Sequence, residues 1–290
     1  MDTALRFALK KLSHRNWSAL KDEWVNYIPV VKIDSEYPEP TLWQIANFPG
    51  VLGSLANELT LPHIDGVREA IFREAIILAR KFSHCRSLVR IAASEGRSTW
   101  ASVTAYEACF YGAKALCYLL GFASIGRSSS YLLDAFFEVI VKQRKGLIEE
   151  RYDMKLHKLP ERMTHAVLWG LTERLINTIT FGNELSELKS QLRKIDWDNF
   201  SKFRNSIMYD GSFWTKLDSY EECDLINFVS DINIYRVSDG DGNYDQLPFA
   251  EEYFRVVQLL ASTLSLMFAD LATLAPVMDG EARSVIKVGL

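Results

Sequence analysis

The strongest constraint on this chain is a pair of long apolar patterns at helical spacing, set one directly after the other. Ile71, Ala75, Ile76, Ala79, Phe82, Leu88 and Ile91 fit one helix that begins near Val67 and ends near Gly96. Tyr106, Phe110, Ala113, Cys117 and Leu120 then define a second helix, which Ser98 or Thr99 can cap by accepting an orphan amide proton of the first turn. Gly121 supplies a left-handed stop. Apolar faces of this kind are buried most simply against other helices, so the expected fold is all-α.

Further helices are expected on both sides of this pair. Upstream, Ala4, Leu5, Ala8, Leu12 and Leu20 suggest a first amphipathic helix, Pro29, Pro38 and Pro40 break the chain, and a short helical region lies between Thr41 and Leu59. Residues 61–66 look like a joint. Downstream, Ser128, Ser129 or Ser130 caps a helix carrying Leu132, Leu133, Phe136, Phe137, Val139 and Ile140. Pro160 opens another helix through Val167, Leu168, Leu171, Leu175 and Ile176. A short helix after Gly182 runs to about Leu192, one runs from about Asp196 to Met208, and a last one from about Phe249 to Leu274. Within Asp218–Asp245, Arg236 spoils a strand alternation, so helix followed by loop is preferred over a short hairpin. This reading divides the chain into an N-terminal helical extension (1–66), a helical bundle (67–275) and a C-terminal tail (276–290).

Composition narrows the class. In 290 residues, 48% hydrophobic and 24% charged content excludes long disorder and collagen-like sequence. Cys85, Cys109, Cys117 and Cys223 have no short spacing that would make a zinc site or a disulfide framework, so they read as reduced thiols and the expected location is cytoplasmic. Lys10, Lys11, His14 and Arg15 follow only a few apolar residues, the reverse of a signal peptide. The apolar stretch Val103–Phe122 contains Glu107 and Lys114 and reads as a buried helix, so no membrane span or membrane partner is expected.

The net charge of -4 is unevenly spread. Between Leu217 and Glu252, ten carboxylates (Asp218, Glu221, Glu222, Asp224, Asp231, Asp239, Asp241, Asp245, Glu251 and Glu252) face only Arg236. Basic residues gather elsewhere, at Lys142, Arg144, Lys145, Arg151, Lys155 and Lys158, and again at Lys189, Arg193, Lys194, Lys202 and Arg204. RNA and an acidic-segment protein partner are therefore both open.

The richest stretch is Phe203-Arg204-Asn205-Ser206-Ile207-Met208-Tyr209-Asp210-Gly211. Trp197 and Phe200 anchor one face of its helix in the core, and Asp210-Gly211 is a stop signal. Arg204 and Tyr209 point about 140° apart on a straight helix at about 100° per residue, so they converge only at a helix end or across two chains. On the central helix, Glu107, Tyr111, Lys114 and Tyr118 share a face and either line that cleft or form an ion pair at the bundle edge.

These residues resemble the HEPN superfamily, the higher eukaryotes and prokaryotes nucleotide-binding helical domains. Arg204 and Asn205 match its Arg-polar hallmark, Tyr209 stands where the family has His, and Ala105–Leu116 through Leu120-Gly121-Phe122 is similar to its small-and-aromatic central helix. The resemblance implies a helical bundle that dimerises and brings two Arg motifs into one cleft, and, in catalytic members, RNA cleavage without metal. It implies that Arg204 holds a phosphate through its planar fork, with Asn205 and Tyr209 completing the catalytic set. Glu107, Tyr111, Lys114 and Lys202 are the candidate substrate-binding residues. Tyr209 is the poorer base, since an unperturbed phenol titrates near about 10. Two functions are expected on this footing: an RNA-directed homodimer, as an endoribonuclease effector of prokaryotic defence or a toxin-antitoxin system, or a non-catalytic helical module that docks a partner protein.

Other signals point to structure. Cys109 and Cys117 suit the core. Glu161 and His165 are four apart but lack a second ligand pair, and no metal or cofactor is expected. His84 and Cys85 point to different faces. Asp239-Gly240-Asp241-Gly242-Asn243 starts like a calcium loop but reads as a solvated turn, and Gly126-Arg127-Ser128-Ser129-Ser130 reads as a helix cap.

Overall fold

The computed structural model describes residues 12, 14–28, 58–95, 97–125, 131–142, 149–159, 164–200, 205 and 249–274. The helices within them are α1 (Trp17–Val25), α2 (Val67–Ser94), α3 (Ser98–Leu119), α4 (His165–Thr178), α5 (Asn183–Leu192) and α6 (Phe249–Leu274). The strands are β1 (Glu58–Leu61), β2 (Phe122–Ile125), β3 (Tyr131–Asp134), β4 (Val139–Lys142), β5 (Glu149–Tyr152) and β6 (Met154–Lys158).

α3 is the axis of the fold: α2, α4, α6 and β2 all pack on it. It is built from small residues, with Ala101, Ala105, Ala108, Ala113 and Ala115 buried, so neighbouring helices approach closely. The tightest point is Gly112, where a Cβ would lie 2.9 Å from Phe82 Cδ2 of α2 and 3.1 Å from Leu260 Cδ1 of α6. The expected stop at Gly121 is present, with φ of 80° directly after the C-cap Leu120. The expected start differs: Arg97 occupies the N-cap and makes no side-chain capping bond. α2 buries Ile71, Ala75, Ile76, Ala79 and Phe82 as read from the sequence, and Val89 and Ala93 carry that face to its end; Leu88 and Ile91, roughly 150° around the helix at about 100° per residue, are exposed. α6 is the one helix among the described residues long and apolar enough to cross a membrane; here Phe254, Val257, Leu260, Leu264 and Leu271 are buried in the protein interior.

The chain is mostly helical, and the all-α expectation is corrected by a four-stranded antiparallel sheet in the order β1-β6-β3-β2. Leu132 and Leu133 belong to β3, where they pair with His157 and Leu156 of β6, instead of to a helix capped by the serines. A continuous apolar run has no decisive period, and here cross-strand partners settled it. Asp134 ends β3, accepting from the amide of Phe136. The β-branched run Val139-Ile140-Val141 lies in β4, which pairs with β5 as a separate two-stranded ribbon. Residues 126–130 therefore join two paired strands. At the other edge, Glu58 and Leu59 lie in β1, not in the expected helical region. α4 begins at His165, with the Thr164 hydroxyl as its N-cap accepting from the Val167 amide at 3.3 Å; Pro160, expected to open this helix, lies outside the described residues.

Buried cations lock the N-terminal part to the sheet end. Arg15 pairs with Asp134, which is fully buried, and lies over the Phe122 ring at 5.0 Å. Arg68 at the start of α2 donates to Ala135 O at 2.9 Å and to Tyr27 Oη, between the rings of Tyr27 and Phe136. Trp24 of α1 donates to Leu119 O at 2.8 Å, which ties α1 to the end of α3.

Candidate functional site

The residues that precede the Arg204 motif, up to Phe200, are held by an aromatic nest. Two helices each supply residues four apart: Tyr106 and Phe110 from α3, His165 and Trp169 from α4. Trp197 and Phe200 follow α5, and Tyr253 comes from α6. Phe200 packs edge-on to Trp169 and Tyr253, each at 4.8 Å, and near-parallel to Tyr106 at 6.0 Å. The Tyr253 hydroxyl donates to Phe200 O at 3.0 Å, and Trp197 Nε1 donates to Leu192 O at 3.2 Å. The expectation that Trp197 and Phe200 anchor this segment in the core is met, for both are buried.

A polar relay runs through the nest. Trp169 Nε1 donates to Tyr106 Oη at 3.3 Å, and Tyr106 Oη lies 2.6 Å from His165 Nδ1. An indole can only donate, so Tyr106 Oη is the acceptor in the first bond; in the second, the Nδ1 tautomer of His165 sets whether Oη donates or accepts. His165 is half-buried at the rim, stacked on Tyr106 at 5.5 Å and on Phe110 at 4.3 Å. An imidazole beside a phenol at this distance is hydrogen-bonded to it in either tautomer. Reading the sequence for metal pairs, with Glu161 as partner, missed this role; the signal was the matching pair of aromatic i, i+4 spacings on α3 and α4. Glu161 itself lies outside the described residues.

Among the expected catalytic residues, Asn205 is helical and exposed. Arg204, Tyr209 and Lys202 lie outside the described residues, as do the acidic 217–248 segment, Cys223 and the Asp239–Asn243 turn. The other three expected binding residues lie along the α2–α3 seam. Lys81 of α2 sits over the Tyr111 ring at 5.6 Å, and Lys114 over the Tyr118 ring at 5.7 Å. Burial, then Glu107 and Cys85, pushes the Tyr111 phenol up. Burial pulls the Lys114 ammonium down while Glu74 opposes it. The Tyr118 hydroxyl bonds Ser124 Oγ at 3.2 Å, and burial pushes its titration up to about 12.

The thiols are quiet. Burial pushes Cys117 up to about 12 and Cys109 well above its ordinary value, so neither is poised as a nucleophile. Among the described residues no three His, Cys, Asp or Glu side chains gather as a metal site. On the α6 side, burial first and Asp196 next push the Glu252 carboxyl up, while the Asp196 amide donates to it.

No protein-family model matches the chain, and no curated protein or solved structure matches it either.

Proposed function

We propose that the chain is an RNA-directed protein of HEPN-like bundle type, acting in the cytoplasm as a homodimer and cutting RNA without metal, as an effector of prokaryotic defence or of a toxin-antitoxin system. In this reading Arg204 holds the scissile phosphate and Asn205 and Tyr209 complete the site, with Lys202 on the approach. The observation that carries it is a contrast: Phe200 is buried in the aromatic nest, while Asn205, five residues on, is helical and exposed. The exposed position of Asn205 is one that a substrate can reach. The small-residue α3 with its Gly121 stop supports the same reading.

Purified protein incubated with mixed RNA in excess chelator is expected to yield fragments ending in 2′,3′-cyclic phosphate, and Arg204→Ala to abolish them. RNA left intact by the unmodified protein, or cut equally by Arg204→Ala, overturns the proposal. A second reading, a non-catalytic interaction module, is favoured by one observation: Leu88, Ile91 and Trp100 are exposed together around the α2–α3 turn.

A further inference from the structure

Among the described residues four large apolar side chains are exposed, and three of them, Leu88 (41%), Ile91 (53%) and Trp100 (53%), lie within about two turns of the α2–α3 connection. Leu88 and Ile91 belong to a stripe. Arg80, His84, Ser87, Leu88 and Ile91 are all exposed and fall within an arc of about 100° at about 100° per residue. From Arg80 onward α2 carries Arg80, Lys81, Arg86 and Arg90 and no carboxylate; the next one, Glu95, bonds Arg97 at 3.0 Å. The far half of α2 is thus apolar along its ridge and cationic around it.

The chain carries the complement of this surface. Residues 217–231 set Asp218, Glu221, Glu222, Asp224 and Asp231 among Leu217, Tyr220, Leu225, Ile226, Phe228 and Val229. The segment also starts and ends near the stripe. Phe200 is pinned against Tyr106, and Tyr253 O accepts from Cys109 Sγ, so both flanks of residues 201–248 are fixed near the middle of α3. That stretch runs beside residues 81–85 of α2, as the contact of Lys81 with Tyr111 and the influence of Glu107 on Cys85 show. From Phe200 to Leu217 the chain can span up to about 55 Å at about 3.3 Å per residue, more than the whole of α2 at about 1.5 Å per residue.

We propose that the exposed ridge of α2, Arg80 to Ile91, is the docking surface for the chain's own acidic segment, residues 217–231. Leu88 and Ile91 receive its apolar side chains, and Arg80 and Lys81 meet its carboxylates. The interaction is intramolecular and weakens with salt. It stands independently of RNA cleavage.

Two native cysteines report on it. Cys85 is half-buried on the flank of α2 that faces α3, one turn from Lys81, and Cys223 is central in the acidic segment, while Cys109 and Cys117 are buried. The full-length protein is treated with a short bis-maleimide at pH 8.5 and digested with trypsin. The expected product joins residues 82–86 to residues 217–236, comes from the monomer band, and fades between 0.1 and 0.5 M NaCl, as Debye lengths of about 10 Å and below would require. Arg80→Glu with Lys81→Glu loses it, and adding Glu221→Lys with Glu222→Lys restores it. Because all four are charge changes on a helix face or in the acidic segment, circular dichroism and melting temperature check that each variant folds. Absence of the Cys85–Cys223 product, its appearance only in a dimer band, or its survival in the charge-reversed variant overturns the proposal.

Discussion

Replacing Tyr106 by Phe removes a single oxygen from the middle of the aromatic nest. The ring remains, with its contacts to His165, Trp169, Phe200 and Tyr253. What changes is Trp169 Nε1, whose acceptor is that oxygen, in a side chain only 1% exposed. A buried donor stripped of its acceptor costs about 1–3 kcal/mol. Taking about 2 kcal/mol and about 2–4 °C per kcal/mol for a chain of this size class, the melting temperature falls by about 4–8 °C. Urea unfolding followed by tryptophan fluorescence should show a lower midpoint with the slope unchanged. A double-mutant cycle isolates the bond: in a Trp169→Phe background no indole donor is left to strand, so the Tyr106→Phe cost shrinks, with a coupling of about 0.5–3 kcal/mol. A melting temperature unchanged by Tyr106→Phe, or additive losses in the double variant, would refute the relay and with it the account of how the residues before the Arg204 motif are held.

Gly112→Ala places a methyl 2.9 Å from Phe82 Cδ2 and 3.1 Å from Leu260 Cδ1. Overpacking of about 1–3 kcal/mol exceeds the helix-propensity gain of about 1 kcal/mol, so the urea midpoint drops; a more stable variant would show that α2 and α6 are not in close contact there. Cys117 makes stability depend on alkaline pH. Its thiol is raised from 9.0 to about 12 in the folded protein, so its contribution is fully present below pH 9 and is lost as pH rises toward 12. The urea midpoint should decline between pH 8 and 10, and Cys117→Ala should flatten that decline; equal slopes would count against a sealed thiol.

The sequence by itself determined the long helices, because there the period, the stop and the length agree. α6 spans Phe249–Leu274 as read, α2 and α3 lie where their apolar spacing placed them, and the turn at Gly121 follows from a residue without a Cβ. The anchoring of Trp197 and Phe200 was legible for the same reason. Other features were decided only by the tertiary structure. Leu132 and Leu133 suit a helix or a strand equally, and it was β2 and β6, from either side in the sequence, that made them a strand. Leu88 and Ile91 are apolar yet exposed, because at about 100° per residue they lie roughly 150° around α2 from the face that Ile71, Ala75, Phe82, Val89 and Ala93 bury. His165 has no meaning as a lone residue. It became part of a site when α4 packed against α3 and set its ring 2.6 Å from a phenol sixty positions earlier in rough count, a juxtaposition that local spacing does not encode.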